Sequence, residues 1–334
     1  MKTLHAMQID VLGGPLVRVE RAMPLPAVTE VLVEVAACGV CRTDLHVRDG
    51  EIPAHYPIIP GHEIVGRIIQ LGEEVHDLKV GQRVGVPWLG WTCGVCNYCK
   101  TGQENLCDKA LFTGATRDGG YASHVIADAR YCFPIPKRFS DTQAAPLLCA
   151  GLIGWRALRF AGDARKIGFY GFGAAAHILT QIAVWQKRDV FAFTKPGDLA
   201  SQDFARKMGC TWAGGSDERP PSMLDSAILF APVGALVPAA LKAVRKGGRV
   251  ICAGIHMSDI SAFPYADLWG ERMIVSVANL TREDGRAFLE AADKSGIEPV
   301  VEVYALEDAN IALTRLKSGD IQGAAVLIPD MLRP

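Results

Sequence analysis

Gly168-Phe169-Tyr170-Gly171-Phe172-Gly173-Ala174-Ala175-Ala176 is the stretch on which the fold turns. An apolar run stops at a glycine-rich turn, and a helical stretch follows from about Ala174 to Gln186. The pattern is Gly-x-Gly-x-x-Gly with alanine in the third place, a known variant. Gly171 permits a tight turn, and Gly173 lets the backbone approach a pyrophosphate at a helix N-terminus, flanked by Ala174 and Ala176. Alone, such a match reads equally as a plain glycine turn. Here a strand precedes it, and a second apolar strand, Asp189-Val190-Phe191-Ala192-Phe193-Thr194, follows about 20 residues on, which makes it a dinucleotide-binding fingerprint.

Downstream the alternation continues. Ser226-Ala227-Ile228-Leu229-Phe230 reads as a strand, a helix ends near Lys246-Gly247-Gly248, and Arg249-Val250-Ile251-Cys252-Ala253-Gly254 is the next strand. Apolar strands alternating with helices imply a parallel sheet covered on both faces. Upstream of Pro146 the rhythm differs. Val31-Leu32-Val33-Glu34-Val35-Ala36 and Ile64-Val65-Gly66-Arg67-Ile68-Ile69 are short β-like runs between turn residues, with no long amphipathic helix among them. That half reads as a β-rich, barrel-like unit. A chain of 334 residues is long for one core, so two domains are expected.

Composition excludes several classes. With 49% hydrophobic and 21% charged residues and a net charge of −1, nothing draws the chain to nucleic acid or anionic membranes. It has no apolar run of about 18 residues that would span a bilayer. The start, Met1-Lys2-Thr3-Leu4-His5-Ala6-Met7-Gln8, lacks the apolar run of a signal peptide, so a cytoplasmic protein is expected.

Ten cysteines in a reducing compartment point to metal ligands or buried thiols. Four of them form Cys93-x2-Cys96-x2-Cys99-x7-Cys107 on one loop. Zinc favours a tetrahedral shell, and four thiolates leave no position for substrate, so this is a closed, structural zinc site. Four unrelated buried cysteines or an iron–sulfur cluster are the lesser alternatives. Gly94 and Gly102 help the loop turn back. A second set is dispersed: Cys41 in Cys41-Arg42-Thr43-Asp44-Leu45-His46, His62 in Gly61-His62-Glu63, and Cys149 in Leu147-Leu148-Cys149-Ala150-Gly151. Two thiolates and an imidazole make the three-ligand shell of a catalytic zinc, with the fourth position open. Singly, each reads as a structural histidine or an inert thiol; jointly with the cysteine loop they do not.

These motifs, with Gly61-His62-Glu63-x2-Gly66-x5-Gly72 and the dinucleotide fingerprint, resemble the zinc-containing medium-chain alcohol dehydrogenases over nearly the whole chain. The resemblance implies an α/β protein with a Rossmann doubly wound parallel sheet and a chaperonin-10-like (GroES-like) β-barrel catalytic domain. The domains would be 1–150, carrying the zinc loop 93–107, then 151–287 for the dinucleotide, then a return over 288–334, with the active site in the cleft between domains. Cys41, His62 and Cys149 would hold the catalytic zinc, with Glu63 behind the metal as a transient ligand. Asp44 would hydrogen-bond His62 and fix its tautomer. Thr43 would pass a proton through the cofactor ribose towards His46, and Arg42 would contact the pyrophosphate. Trp88 and Leu89 would line the substrate pocket, with Ile52 where some relatives carry tryptophan.

The implied reaction is reversible oxidation of primary alcohols to aldehydes with NAD(P). It calls for two zinc ions per chain, a small alcohol or aldehyde substrate, and no nucleic-acid or membrane partner. A secondary-alcohol or polyol dehydrogenase is the nearest alternative, and a non-catalytic zinc-stabilised binding protein would keep the four-cysteine loop alone. Two departures from the family matter. The second Rossmann strand ends at Thr194, followed by Lys195, where NAD-specific relatives carry an acid; this leans the reading to NADP, with NAD also used. Ala324 stands where an arginine often contacts the pyrophosphate. Glu271-Arg272-Met273-Ile274-Val275-Ser276-Val277 reads as an unpaired edge strand, which implies a homodimer or homotetramer.

Overall fold

A computed structural model describes residues 2–329. Its internal contacts separate two units: one of residues up to Ala150 with Asn279–Glu290 and the chain from Glu298, the other of Gly151–Ala278 with Ala291–Ile297.

The second unit is a six-stranded parallel sheet. Its order is Trp212–Gly215, Asp189–Thr194, Lys166–Tyr170, Leu224–Leu229, Val244–Cys252 and Met273–Ser276. Strand order therefore reverses beside Lys166–Tyr170, the topological switch point at which open α/β sheets bind ligands. The strands are apolar on both faces: Ile167, Phe169, Phe191, Phe193, Ile228, Leu229, Val250 and Ile251 are all buried. The helix after the glycine turn runs Ala174–Trp185.

One expectation fails in an instructive way. Lys246-Gly247-Gly248 looks like a helix stop, but the helix is Leu236–Ala243 and the chain is already in a strand at Val244. Leu224 pairs with Val244 and Ser226 with Arg249, so the intervening residues form an irregularity inside the strand. Gly247, at φ +73°, supplies the left-handed turn it needs.

In the first unit a seven-stranded sheet runs Val301–Ala305, Ala324–Ile328, Glu30–Val40, Glu63–Leu71, Arg83–Val86 and Phe133–Pro134, with His124–Asp128 also paired to Glu30–Val40. The long strand Glu30–Val40 has two partners on one side: His124–Asp128 along Glu30–Glu34, and Ala324–Ile328 along Cys38–Val40. Alternate residues Val31, Val33 and Val35 face a core shared with Ile64, Ile68, Val84 and Tyr121. The chain re-enters this unit at Asn279, whereas the sequence places the return at 288.

Candidate active site and metal centres

The strand Glu30–Val40 delivers the chain to Cys41, which is the N-cap of the short helix Arg42–Arg48. The cap is reciprocal: the Cys41 thiol accepts from the Thr43 N–H at 3.5 Å, and the Asp44 carboxylate accepts from the Cys41 N–H at 2.8 Å. Asp44 is 1% exposed and does more than cap. It accepts from Gly61 N at 3.2 Å and from the Tyr121 hydroxyl at 3.0 Å, and it lies 3.3 Å from His62 Nδ1. Gly61 is at φ +95°, and a Cβ there would lie 2.7 Å from Tyr121 Cε1 and 2.8 Å from Cys38 Sγ. Only glycine lets the chain turn into His62 with Tyr121 in place.

Cys41, His62, Glu63 and Cys149 each offer one ligand atom, all within 4.8 Å of one another, with the two sulfurs 3.9 Å apart. Asp44 faces Nδ1, so Nε2 is the imidazole nitrogen left for a metal, and that buried atom has no hydrogen-bond partner among the described residues. An orphaned nitrogen beside two thiols fits zinc. Charge is crowded here. The neighbouring Cys149 thiol holds Cys41 well below the usual thiol range, while that same contact and burial push Cys149 well above it. Burial alone would depress His62, but Asp44 and the Cys41 thiolate together raise the imidazole well above its ordinary value. Burial, then the Cys41 thiolate, pushes the Glu63 carboxyl up. A Cβ on Gly39 would overlap Glu63 Oε2, so that glycine clears the space the carboxylate occupies.

The second cluster is Cys93, Cys96, Cys99 and Cys107, again with ligand atoms within 4.8 Å. Cys96 N–H donates to Cys93 Sγ at 3.4 Å, Cys99 N–H to Cys96 Sγ at 3.5 Å, and the Cys107 and Cys93 sulfurs are 3.6 Å apart. Backbone N–H groups of Val95 and Cys96 lower the Cys93 thiol to about 6. Gly94 and Gly102 sit at φ +72° and +71°, in the left-handed region the loop requires. Four sulfurs supplied by one loop fit a closed zinc shell. The loop is anchored: Glu104, 5% exposed, accepts from Arg282 N at 3.0 Å and Nε at 3.2 Å.

Gly171 lies at φ +90°, and a Cβ on it would approach Ala231 N to 2.9 Å. A Cβ on Gly173 would meet nothing, so the backbone there is open to a ligand. Gly173 caps the helix Ala174–Trp185 without a side-chain hydrogen bond, and no acid occupies its first turn. Uncapped N–H groups at the positive end of a helix dipole fit a pyrophosphate. Ala174 is part-exposed and Ala176 fully buried.

Other expected residues fall unevenly. Arg42 is exposed at the first position of its helix, and Thr43 Oγ1 lies 3.4 Å from Cys41 Sγ. One turn on, His46 Nδ1 is paired with the Glu51 carboxylate. Trp88 packs edge-on to the His62 ring at 5.0 Å and stacks on Phe112 at 5.0 Å. Leu89 is fully buried, in the strand Leu89–Trp91. Ile52 is 9% exposed, within the core cluster. The Thr194 hydroxyl faces inward: it donates to Lys195 O at 3.1 Å, with Gly214 O 3.4 Å away, and accepts from Gln202 Nε2 at 3.2 Å. Lys195 beside it is exposed. Tyr121, Gly39, Glu51 and Phe112 were not singled out by sequence. The run Gly119-Gly120-Tyr121 was the one local signal, since paired glycines beside an aromatic mark a close backbone approach.

Residues 27–137 match the model of the "Alcohol dehydrogenase GroES-like domain". The chain is 45% identical to the probable alcohol dehydrogenase AdhA of Mycobacterium tuberculosis (strain CDC 1551 / Oshkosh), covering 98% of this chain and 97% of that one. It is 34% identical to an alcohol dehydrogenase of Geobacillus stearothermophilus, covering 98% and 100%. Among solved structures, a cinnamyl alcohol dehydrogenase from Sorghum bicolor (SbCAD4) superposes with a TM-score of 0.91 at 25% identity over 100% of both chains. With its GroES-like first unit and Rossmann second unit, the chain belongs to the zinc-containing medium-chain alcohol dehydrogenases and is an oxidoreductase acting on alcohols.

Proposed function

We propose that the chain catalyses the reversible oxidation of primary alcohols to aldehydes, with a zinc ion on Cys41, His62 and Cys149 and with NADP preferred over NAD. The observation that carries this is the convergence of two thiols, an orphaned imidazole nitrogen and a buried carboxyl within 4.8 Å. Zinc held there by Cys41, His62 and Cys149 would lower the pKa of an alcohol and polarise a carbonyl, and a dinucleotide would exchange the hydride. The protein's part is positional. Asp44 would accept a hydrogen bond from Nδ1–H of His62 and so fix the tautomer that presents Nε2. Glu63, held buried beside the same atoms, would serve as a transient ligand to the metal. Thr43 would receive the alcohol proton and pass it through the cofactor ribose towards His46, which is held by Glu51.

Trp88 and Phe112 give an aromatic wall next to His62 that suits unbranched or aromatic primary alcohols. For the cofactor, the strand end carries no acid to repel a 2′-phosphate, and Lys195 is the exposed cation beside it. Asp198, the nearest acid in sequence, is engaged by Ser201 N at 3.0 Å and Ser201 Oγ at 2.7 Å, and Glu218, beside the paired strand, accepts from Gly215 N at 2.6 Å. The deciding experiment is kcat/KM for ethanol, benzyl alcohol and sorbitol with each cofactor. Benzyl alcohol with NADP should lead; a lead for sorbitol would transfer the chain to the polyol branch, and an NAD preference above about tenfold would overturn the cofactor assignment.

A further inference from the structure

The short helix Arg42–Arg48 ends at Asp49, and the chain then doubles back along it. Gly50, at φ +79°, makes the reversal, and a Cβ on it would overlap Leu12 Cδ1. The His46 carbonyl closes the turn, accepting from Glu51 N at 2.9 Å and from Ile52 N at 3.3 Å. Glu51 is thereby tied twice to one residue: its backbone N–H to the His46 carbonyl, and its carboxylate to His46 Nδ1. An ordinary surface ion pair has no such backbone tether and gives up most of its gain to side-chain entropy.

Asp49, the other acid within electrostatic reach of His46, is engaged elsewhere. It accepts from Arg48 Nε at 2.7 Å and lies 3.7 Å from Lys317 Nζ, which reaches it from the helix Ala309–Ser318. Glu51 is therefore the carboxylate bonded to the imidazole. Exposure rises in steps along this line: Thr43 is 5% exposed, the His46 side chain 16% and the Glu51 side chain 52%. Thr43 and His46, three residues apart, share one helix face. A carboxylate only accepts, so in the neutral ring Nδ1 carries the hydrogen and Nε2 the lone pair.

We propose that Glu51 is a positioning residue for proton release, holding neutral His46 in the one tautomer whose Nε2 takes the proton that leaves the alcohol. This role rests on the Thr43-to-His46 relay proposed for the reaction. A proton entering at Nε2 makes an imidazolium, and loss of one proton from that ring to water restores the neutral form, so one proton is carried for each alcohol oxidised.

Two measurements on zinc-loaded protein test it. In nitrogen NMR spectra of histidine-labelled protein without dinucleotide, at a pH where the ring is neutral, His46 should show a single Nδ1-protonated tautomer. Its signals are those missing from His46→Gln, and Glu51→Ala should show a mixture of tautomers. In a single turnover of benzyl alcohol with saturating NADP or NAD, followed by a pH-indicator dye, proton release should slow about tenfold in Glu51→Ala. Glu51→Gln fills the same space but donates as readily as it accepts, so it should slow release too. A Glu51 that served packing alone would be replaced by glutamine at no cost. His46→Gln separates the outcomes. If it slows release while both Glu51 variants match wild type, the relay stands and the role of Glu51 falls. If His46→Gln also matches wild type, the relay falls and Glu51 with it. A single His46 tautomer persisting in Glu51→Ala overturns the proposal as well.

Discussion

Asp44 shows how much one carboxylate can organise: it caps the helix that follows Cys41, holds the turn into His62 and orients that imidazole. Two predictions test the shell around it. Cys41→Ser or His62→Ala should abolish turnover while dinucleotide binding, measured by fluorescence quenching, survives; retained turnover with a full metal complement would remove these residues from the catalytic site. Tyr121→Phe deletes only the hydroxyl that donates to Asp44, so catalytic-zinc affinity should fall on the order of tenfold, with activity restored by added zinc. Chelator competition gives the affinity, and an unchanged value would make Tyr121 merely a packing residue. Cofactor choice belongs to this scale too. Because Thr194 is turned inward, the informative change is Lys195→Asp, which should move the kcat/KM ratio towards NAD by about tenfold. Both candidate ligand sets could be named from the sequence, because four cysteines share one loop and because Cys41, His62 and Cys149 sit in motifs that resemble a known family's. Tyr121, Gly39 and Glu51 could not, because their roles arise where distant segments meet, and one sequence does not encode that meeting locally.

Helix and loop placement show the same division. The Rossmann strands were legible because a doubly buried strand is a continuous apolar run, whereas the Lys246-Gly247-Gly248 irregularity mimicked a helix stop. The zinc loop makes a prediction of its own: Cys99→Ser should release one zinc per chain and lower the denaturation midpoint, because a closed shell contributes its binding energy to folding. Glu104→Gln should cost about 1.5–3 kcal/mol in urea unfolding by weakening the charge-assisted contacts to Arg282, a pair partly open to solvent at the arginine. The helix after the glycine turn has a pH signature. Burial lowers His177 to about 4. Its unfolded value is about 6.5, so the unfolded chain binds the extra proton first. Stability is complete above about pH 6.5 and is lost as pH falls towards 4, by up to on the order of 3 kcal/mol. His177→Gln should flatten that slope in denaturant titrations at stepped pH.

For the molecule as a whole, the two metal clusters predict two zinc ions per loaded chain by metal analysis; one or fewer would dissolve the two-site reading. Met273–Ser276 ends the parallel sheet with one side unpaired among the described residues, and Met273 is 40% exposed. An apolar sheet edge invites a symmetric copy, so a dimer or a dimer of dimers is the expected state by light scattering at micromolar concentration. A monomer would sink that expectation.

The pairing of Ala325 with Val40, one residue before Cys41, has a consequence for synthesis. On the ribosome the segment carrying Cys41 emerges early, but the strand that flanks it is translated only after the entire nucleotide-binding unit. That unit is contiguous enough to fold while the nascent chain is still growing, since domains generally fold as they emerge. The sheet behind Cys41 must wait, its edge open, for the late strand. Loading of the proposed catalytic centre should therefore wait until Ala324–Ile328 has been made, and chains halted before Ala324 should keep metal on the four-cysteine loop yet hold it poorly at Cys41.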